Sequence, residues 1–389
     1  MKPLQHLTIL DLSRVLACPF ASMILAELGA TVIKVEQPGA GDETRGFEPR
    51  LAQDSAYFFA CNRAKASITV NLGSDGGRRI IRELAQQADV LVENFPVGTL
   101  ARQGLDYPVL SSLNPRLVYV SCTGFGQSGP YAHKKGYDTV FQAMGGLMSL
   151  TGEKGGGPVK PGLPVADLTS GLWVAIAILA ALAGRERSGR GACVDFSMLD
   201  GQVSLLTLAA ARYFALGEVP PRLGTEHPGR VPSATFRCKD GKYAHITASD
   251  QHWPALCEAL EMGTDPFDNA ARVARREEVM AAMTAAVAKL TRAELIARLD
   301  AADVPVGPVN DVAEVLADPQ VRARKLVGSF DYPGVGEFKA LALPYKFLGW
   351  DDPGIGRPPA LGEHTDAILR ERLGYSDERI AELRAAKAI

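Results

Sequence analysis

Short apolar runs alternate with helix-spaced segments along the first half of the chain. LTILDLS, ATVIKVE, DVLVENF and LVYVSCTGFG are rich in Val, Ile and Leu on both faces of a strand. Between them, Phe20 to Leu28 and Ser74 to Gln87 place apolar residues at helical periodicity,. Strands apolar on both faces and separated by helices predict a parallel sheet covered on both sides. The expected fold class is therefore α/β, a large doubly wound Rossmann-like domain. Two more helices, Leu172–Ala183 and Leu199–Leu216, flank a strand in ACVDFSM. The stretch GEVPPRLGTEHPGRVPS is dense in Pro and Gly and reads as a boundary,.

Beyond that boundary the pattern changes. A strand pair over ATFRCKDGKYAHITAS, turning at Asp240-Gly241, precedes helices near Gln251–Glu261, Arg272–Leu290 and Arg292–Ala301. This predicts a small α+β domain. From Asp311 a helix leads to strands around residues 329–338, a Pro-rich segment and a last helix over Asp377–Ala386. The expected division is a large domain over 1–216, a linker over 217–235 and the small domain over 236–305. Residues 306–389 are expected to link back and rejoin the large domain.

Composition narrows the class without naming a chemistry. The 389 residues are too many for one ordinary core,. With 47% hydrophobic and 22% charged residues the chain reads as globular rather than disordered,. A formal net charge of −2 gives no general pull toward nucleic acid or an anionic membrane, so an anionic ligand must be held locally,. The six cysteines (Cys18, Cys61, Cys122, Cys193, Cys238, Cys257) lack paired spacing. That argues against a zinc site or a disulfide scaffold and fits reduced thiols in a cytoplasm. The longest apolar run, Leu172 to Ala183, is short of the roughly 20 residues of a spanning helix and reads as a core helix,.

Gly124-Phe-Gly126-Gln-Ser-Gly129 matches G-x-G-x-x-G after a strand. A dinucleotide site must also open a helix at once and find an acid at the end of the next strand. Pro130-Tyr131 follows instead, and no strand ends in an acid at the right distance. The histidines show no metal-ligand spacing, and no serine sits in G-x-S-x-G,. Carboxylates remain. Asp167, between PGLPVA and the apolar helix, reads as an N-cap. It also reads as an anion kept ionised by the helix dipole and able to act as a covalent nucleophile. Position does not separate the two.

Many segments in order resemble one family, the class III CoA-transferases, which also holds α-methylacyl-CoA racemase. They include LDLSRVLACPFASMILAELGATVIKVEQPGAGDETR, NRAKASITVNL, VLVENFPVGTLARQGLDY, VSCTGFGQSGPY and GYDTVFQAMGGLMSLTG. PGLPVADLTSGLWVAIAILAAL, RSGRGACVDFSMLDG, DVPVGPVNDVAEVLADPQV and RPPALGEHTDAILRERLGYS carry the likeness to the end of the chain. The resemblance implies that Asp167 is the nucleophile. It attacks an acyl-CoA, passes through an anhydride to an aspartyl-CoA thioester, and hands CoA to a second acid. It implies CoA contacts at Leu16, Ala17, Gln37, Leu72, Asn94, Phe95, Arg102 and Lys135. CoA is then substrate and covalent intermediate, with no metal and no permanently bound cofactor. An interlocked homodimer is implied too.

Two departures bear on the substrate. The formyl-CoA branch has glutamine where Leu16 stands and arginine where Gln37 stands, so formyl-CoA and oxalate are not expected. VKPGLPVADLTSG and LGTEHPGRVPSATF resemble the branch that uses succinyl-CoA and dicarboxylic acids of the glutarate or itaconate type. That makes Arg222, His227 and Arg230, with Tyr137, candidates to meet the acid substrate. The racemase branch pairs its aspartate with a histidine in G-H-D, whereas this chain reads Gly136-Tyr137-Asp138. Racemisation and non-catalytic CoA binding are the alternatives.

Overall fold

A computed structural model describes residues 2–350 and 354–389; residues 351–353, inside the expected Pro-rich segment, lie outside the described residues. The chain divides into two units. One comprises the chain up to Leu147 with Pro161–Ala210 and Ala323–Ile389, the other Met148–Lys160 with Ala211–Arg322. The helix–strand pattern carries no sign that Met148–Lys160 leaves the first unit.

The first unit is built on β1 (Thr8–Asp11), β2 (Thr31–Glu36), β3 (Ala66–Thr69), β4 (Val90–Glu93), β5 (Val118–Thr123) and β6 (Cys193–Ser197). All pair in parallel, in the order β3-β2-β1-β4-β5-β6. The strand order reverses between β1 and β4. In open α/β sheets, ligands bind outside the carboxyl ends of the strands at such a reversal. Register lines up the faces: Ile9 stands level with Val32 and Val90, and Leu10 with Ile33 and Leu91. Each row feeds a separate apolar core.

The helices that bear on the site and its cores are α1 (Ala17–Glu27), α2 (Asp75–Gln87), α3 (Tyr107–Leu113), α4 (Asp138–Met144), α5 (Val165–Ser188) and α6 (Met198–Ser204). The expected Leu199–Leu216 helix is two pieces, α6 and Thr207–Leu216. Ile9, Val90 and Val118 pack with Ala21 and Leu25 of α1 and Val174 and Ile178 of α5. The opposite core joins Leu10, Ile33 and Leu91 to Ile80 and Leu84 of α2 and Leu110 of α3.

In the second unit β7 (Ser233–Arg237), β8 (Tyr243–Thr247) and β9 (Val306–Pro308) form an antiparallel sheet. Its core takes Phe236 and Ile246 with Trp253 of α7 (Trp253–Ala259), Met283 of α8 (Arg276–Val287) and Leu295 of α9 (Arg292–Ala301). The C-terminal stretch of the first unit adds a hairpin, β10 (Val327–Tyr332) and β11 (Gly336–Leu341). It also supplies α10 (Thr365–Leu373) and α11 (Asp377–Ala385), whose Leu369 and Leu383 enter the α2 core.

Helix α5 differs most from expectation. It spans 24 residues rather than the 12-residue apolar run, because the mixed stretch VADLTSG precedes that run and the polar stretch GRERS follows it, both helical. Among the described residues it is the one helix long and apolar enough to cross a membrane. One side is that of a core helix: Ala166, Gly171, Val174, Ile178 and Leu182 are buried. Buried Arg185 near its end pairs with Asp89 at 2.9 Å.

Candidate active site

Asp167 lies in the first turn of α5 and is not its cap, which corrects one of the two sequence readings. The N-cap position is Pro164, and no side chain of the helix's own caps it. The unsatisfied N–H groups of a helix start must be met from somewhere, and here the acceptor comes from another helix. Asp138 Oδ1 accepts the N–H of Ala166 at 2.8 Å and of Asp167 at 3.2 Å. Its other oxygen accepts Gln142 Nε2 at 2.6 Å.

With that work done by Asp138, the Asp167 carboxylate has no hydrogen bond and no ion pair among the described residues. Burial, and then the charge of Asp138, push its carboxyl up to about 7,. The expectation of an aspartate held ionised by the helix start is corrected accordingly. The group is poised near neutrality.

Three close approaches fix this arrangement. A Cβ on Gly124 would lie 2.6 Å from the Phe141 ring, and one on Gly136 would lie 2.5 Å from it. Glycine at both positions lets the loop after β5 and the start of α4 close on Phe141, which is fully buried. The G-x-G-x-x-G match is thus a packing loop. A Cβ on Gly171 would lie 2.6 Å from the Ala17 carbonyl. Gly171 is one turn from Asp167 on the same face of α5, so the starts of α1 and α5 come together. Leu16, the N-cap of α1, offers no side-chain bond to its first N–H groups.

The segment between β1 and α1 is clamped from below by buried charge. Lys34 Nζ donates to Asp42 at 2.8 Å and to the Ser13 carbonyl at 3.0 Å. Lys65 Nζ donates to Asp11 at 3.0 Å and to the Pro19 carbonyl at 2.9 Å. Burial opposes both pairs; even so, Lys34 holds Asp42 down at about 2, while burial pulls Lys65 down to about 8. Asn94 grips Arg14 from the side, accepting its N–H at 2.9 Å and donating to its carbonyl at 2.7 Å. Between these anchors Val15 sits in the left-handed region at φ +69°. A β-branched residue there is strained, and such strain persists only where the surroundings over-determine it.

A cavity of about 250 Å³ opens over the carboxyl ends of β1, β2, β3 and β4. Arg14, Gln37, Asn71, Leu72, Phe95 and Gln103 line it. Lys34 in its wall is spent on Asp42; the Arg14 side chain is 42% exposed, meets exposed Glu43 at 3.5 Å and lies over the Phe95 ring at 4.9 Å.

Comparison with known proteins gives this geometry its context. The model of the family described as "CoA-transferase family III" matches residues 4–365. The chain belongs to that family. It is 39% identical over 389 residues to mouse succinyl-CoA:glutarate CoA-transferase, covering 98% of this chain and 89% of the relative. It is 40% identical to acetyl-CoA:oxalate CoA-transferase of Acetobacter aceti, with 95% of each chain covered. The crystal structure of a CaiB/BaiF family protein from Brucella suis superposes with a TM-score of 0.85 at 40% identity. That match covers 95% of this chain and 99% of the other. The protein is a class III CoA-transferase.

Of the expected contacts in this CoA-transferase, Gln37, Leu72 and Phe95 line the cavity. Leu16, Ala17 and Asn94 belong to the clamped segment and its brace. Arg102 and Lys135 lie outside the lining; Arg102 bonds Thr99 at 3.2 Å, and Lys135 is exposed. Tyr137 is 82% exposed. In the second unit, Arg222 donates to the carbonyls of Gly156 and Ser149 at 3.0 and 3.2 Å, anchoring Met148–Lys160. His227 accepts the Gly229 N–H at 3.1 Å. Arg230 is exposed and has no ion-pair partner among the described residues. Sequence reading missed Arg14 and Asp138. Arg14 stands in the loop after β1, where a strand-end signal points. Asp138 acts across 28 residues and leaves no local trace.

Proposed function

We propose that this transferase moves CoA from succinyl-CoA to a free dicarboxylic acid of the glutarate or itaconate type, with Asp167 as nucleophile. What carries the assignment is the Asp167 carboxylate itself: partly buried, unshared and pushed up to about 7 at the start of α5. The carboxylate attacks the thioester carbonyl, and CoA leaves as thiolate. The thiolate attacks the aspartyl carbonyl of the anhydride, giving aspartyl-CoA thioester and a free acid. The second acid reverses both steps. One carboxylate replaces another throughout, so the thioester's energy is retained and CoA enters only as substrate and covalent carrier. Anhydride and thioester both hydrolyse, so water must be kept out. Oxyanion donors are needed at both carbonyls, and the uncapped start of α1 beside Gly171 is a source of N–H groups.

The nucleotide half of CoA is assigned to the cavity at the sheet reversal. Gln37, Leu72 and Phe95 line it, Arg14 supplies a cation that would exchange its exposed Glu43 partner for phosphate, and Arg102 and Lys135 are outlying phosphate ligands. The names of the relatives motivate the succinyl-CoA and dicarboxylate reading. The A. aceti relative brings oxalate back among the acids to test. Arg230 and His227 remain the candidates for the distal carboxylate, and Arg222 an outside one, since its donors already serve carbonyls. A cytoplasmic homodimer completes the proposal. Racemisation has less support: Tyr137 replaces the histidine, and both oxygens of Asp138 are engaged.

Incubation with succinyl-CoA followed by hydroxylamine should modify Asp167, and Asp167→Ala should abolish transfer to glutarate, itaconate and oxalate alike. Retained transfer in a folded Asp167→Ala protein would overturn the assignment. Preference for oxalate over glutarate would overturn the acid.

A further inference from the structure

We propose that Asp138 is the positioning residue of this active site, holding the start of α5 so that the Asp167 carboxylate is left unshared and directed to the thioester. The inference rests on Asp167 being the nucleophile. It starts from the need of every helix start for acceptors. An aspartate in the first turn would ordinarily turn back to meet those N–H groups. At α5 they are already taken by Asp138, at 2.8 and 3.2 Å from Ala166 and Asp167.

Asp138 is itself held. Gln142 Nε2 grips its second oxygen at 2.6 Å, and Gln142 is fully buried. Phe141, between these two residues, is locked under Gly124 and Gly136. The acceptor therefore cannot follow Asp167 if that side chain moves. The second effect is electrostatic. Helix α4 brings Asp138 to α5, α6 carries Asp200, α1 carries Cys18 and Glu27, and β5 carries Tyr119 and Cys122. Of these, Asp138 is the one whose charge acts on Asp167, and it disfavours ionisation there. A more basic carboxylate is a stronger nucleophile toward a carbonyl.

Asp138→Asn separates the two effects. The amide oxygen can still accept both backbone N–H groups. Gln142 can rotate its amide to offer Oε1, which has no partner at present. The fold is therefore kept while the charge is lost. The acid limb of kcat/KM for succinyl-CoA should move to lower pH by about one unit, with KM little changed and kcat at high pH reduced. Asp138→Ala, which removes the acceptor as well, should lower kcat at least tenfold further. Hydroxylamine should still label Asp167 in Asp138→Asn; this separates failure here from failure of the nucleophile assignment. An acid limb that stays in place or moves upward in Asp138→Asn would overturn the proposal, since a simple helix cap would leave it unmoved.

Discussion

A carboxyl pushed up to about 7 leaves a thermodynamic mark that can be measured without substrate. The unfolded chain releases the Asp167 proton near the ordinary aspartate value of about 4. The native state holds it up to about 7, so between those values folding binds protons and stability falls as pH rises,. The cost is absent below about pH 4 and complete above about pH 7. Asp167→Asn removes it and should stabilise the enzyme at pH 8 by about 2 kcal/mol, the shift being discounted for partial exposure. Calorimetry at pH 5 and pH 8 checks this: the gap in Tm should widen with pH, and a constant gap would contradict it. At this scale the sequence was half legible. Asp167 stood out as a carboxylate beside an apolar helix, but the choice between cap and nucleophile lay in Asp138, a residue 29 positions away whose contact no spacing rule describes.

Elements were more legible where their pattern is local. The β-branched runs marked β1, β2, β4 and β5, and the amphipathic spacing marked α2. Strand β3 carries no apolar signature because its neighbourhood is polar: Lys65 and Ser67 are buried, one bonded to Asp11 and the other to Glu36. The start of α5 lies seven residues before the apolar run for a related reason. Its first turn is satisfied by another helix, so it needs neither an apolar run nor a cap of its own. Strand β9 is only three residues long, too short to show alternation. Gly136 tests how far the elements depend on close approach. A methyl there would collide with the buried Phe141 ring. Gly136→Ala should cost about 1–3 kcal/mol through overpacking and displace the start of α4, so transfer should fall together with Tm. Unchanged activity and melting would mean that the ring yields freely.

For the whole molecule, the outward side of α5 matters most. Leu172, Trp173, Ile176 and Leu179 are 49%, 42%, 54% and 38% exposed and repeat on one side of a helix whose other side is core. A contiguous apolar stripe of this kind marks an interaction surface, and a second copy of the chain is the partner proposed for it. If the proposed homodimer forms through this stripe, Ile176→Asp should weaken self-association at least tenfold, read by sedimentation at falling concentration; unchanged self-association would remove α5 from the interface.

The cap supplied by Asp138 has a consequence for turnover. In the proposed cycle Asp167 is by turns an anion, an anhydride and a thioester, so its charge vanishes and returns each time. A helix that leaned on such a residue would fray and re-form with every cycle. Here the acceptor is a carboxylate that the reaction never touches. The scaffold is blind to the state of its own nucleophile, and the loaded enzyme presents the second acid with the same helix start that the empty enzyme presented to the first.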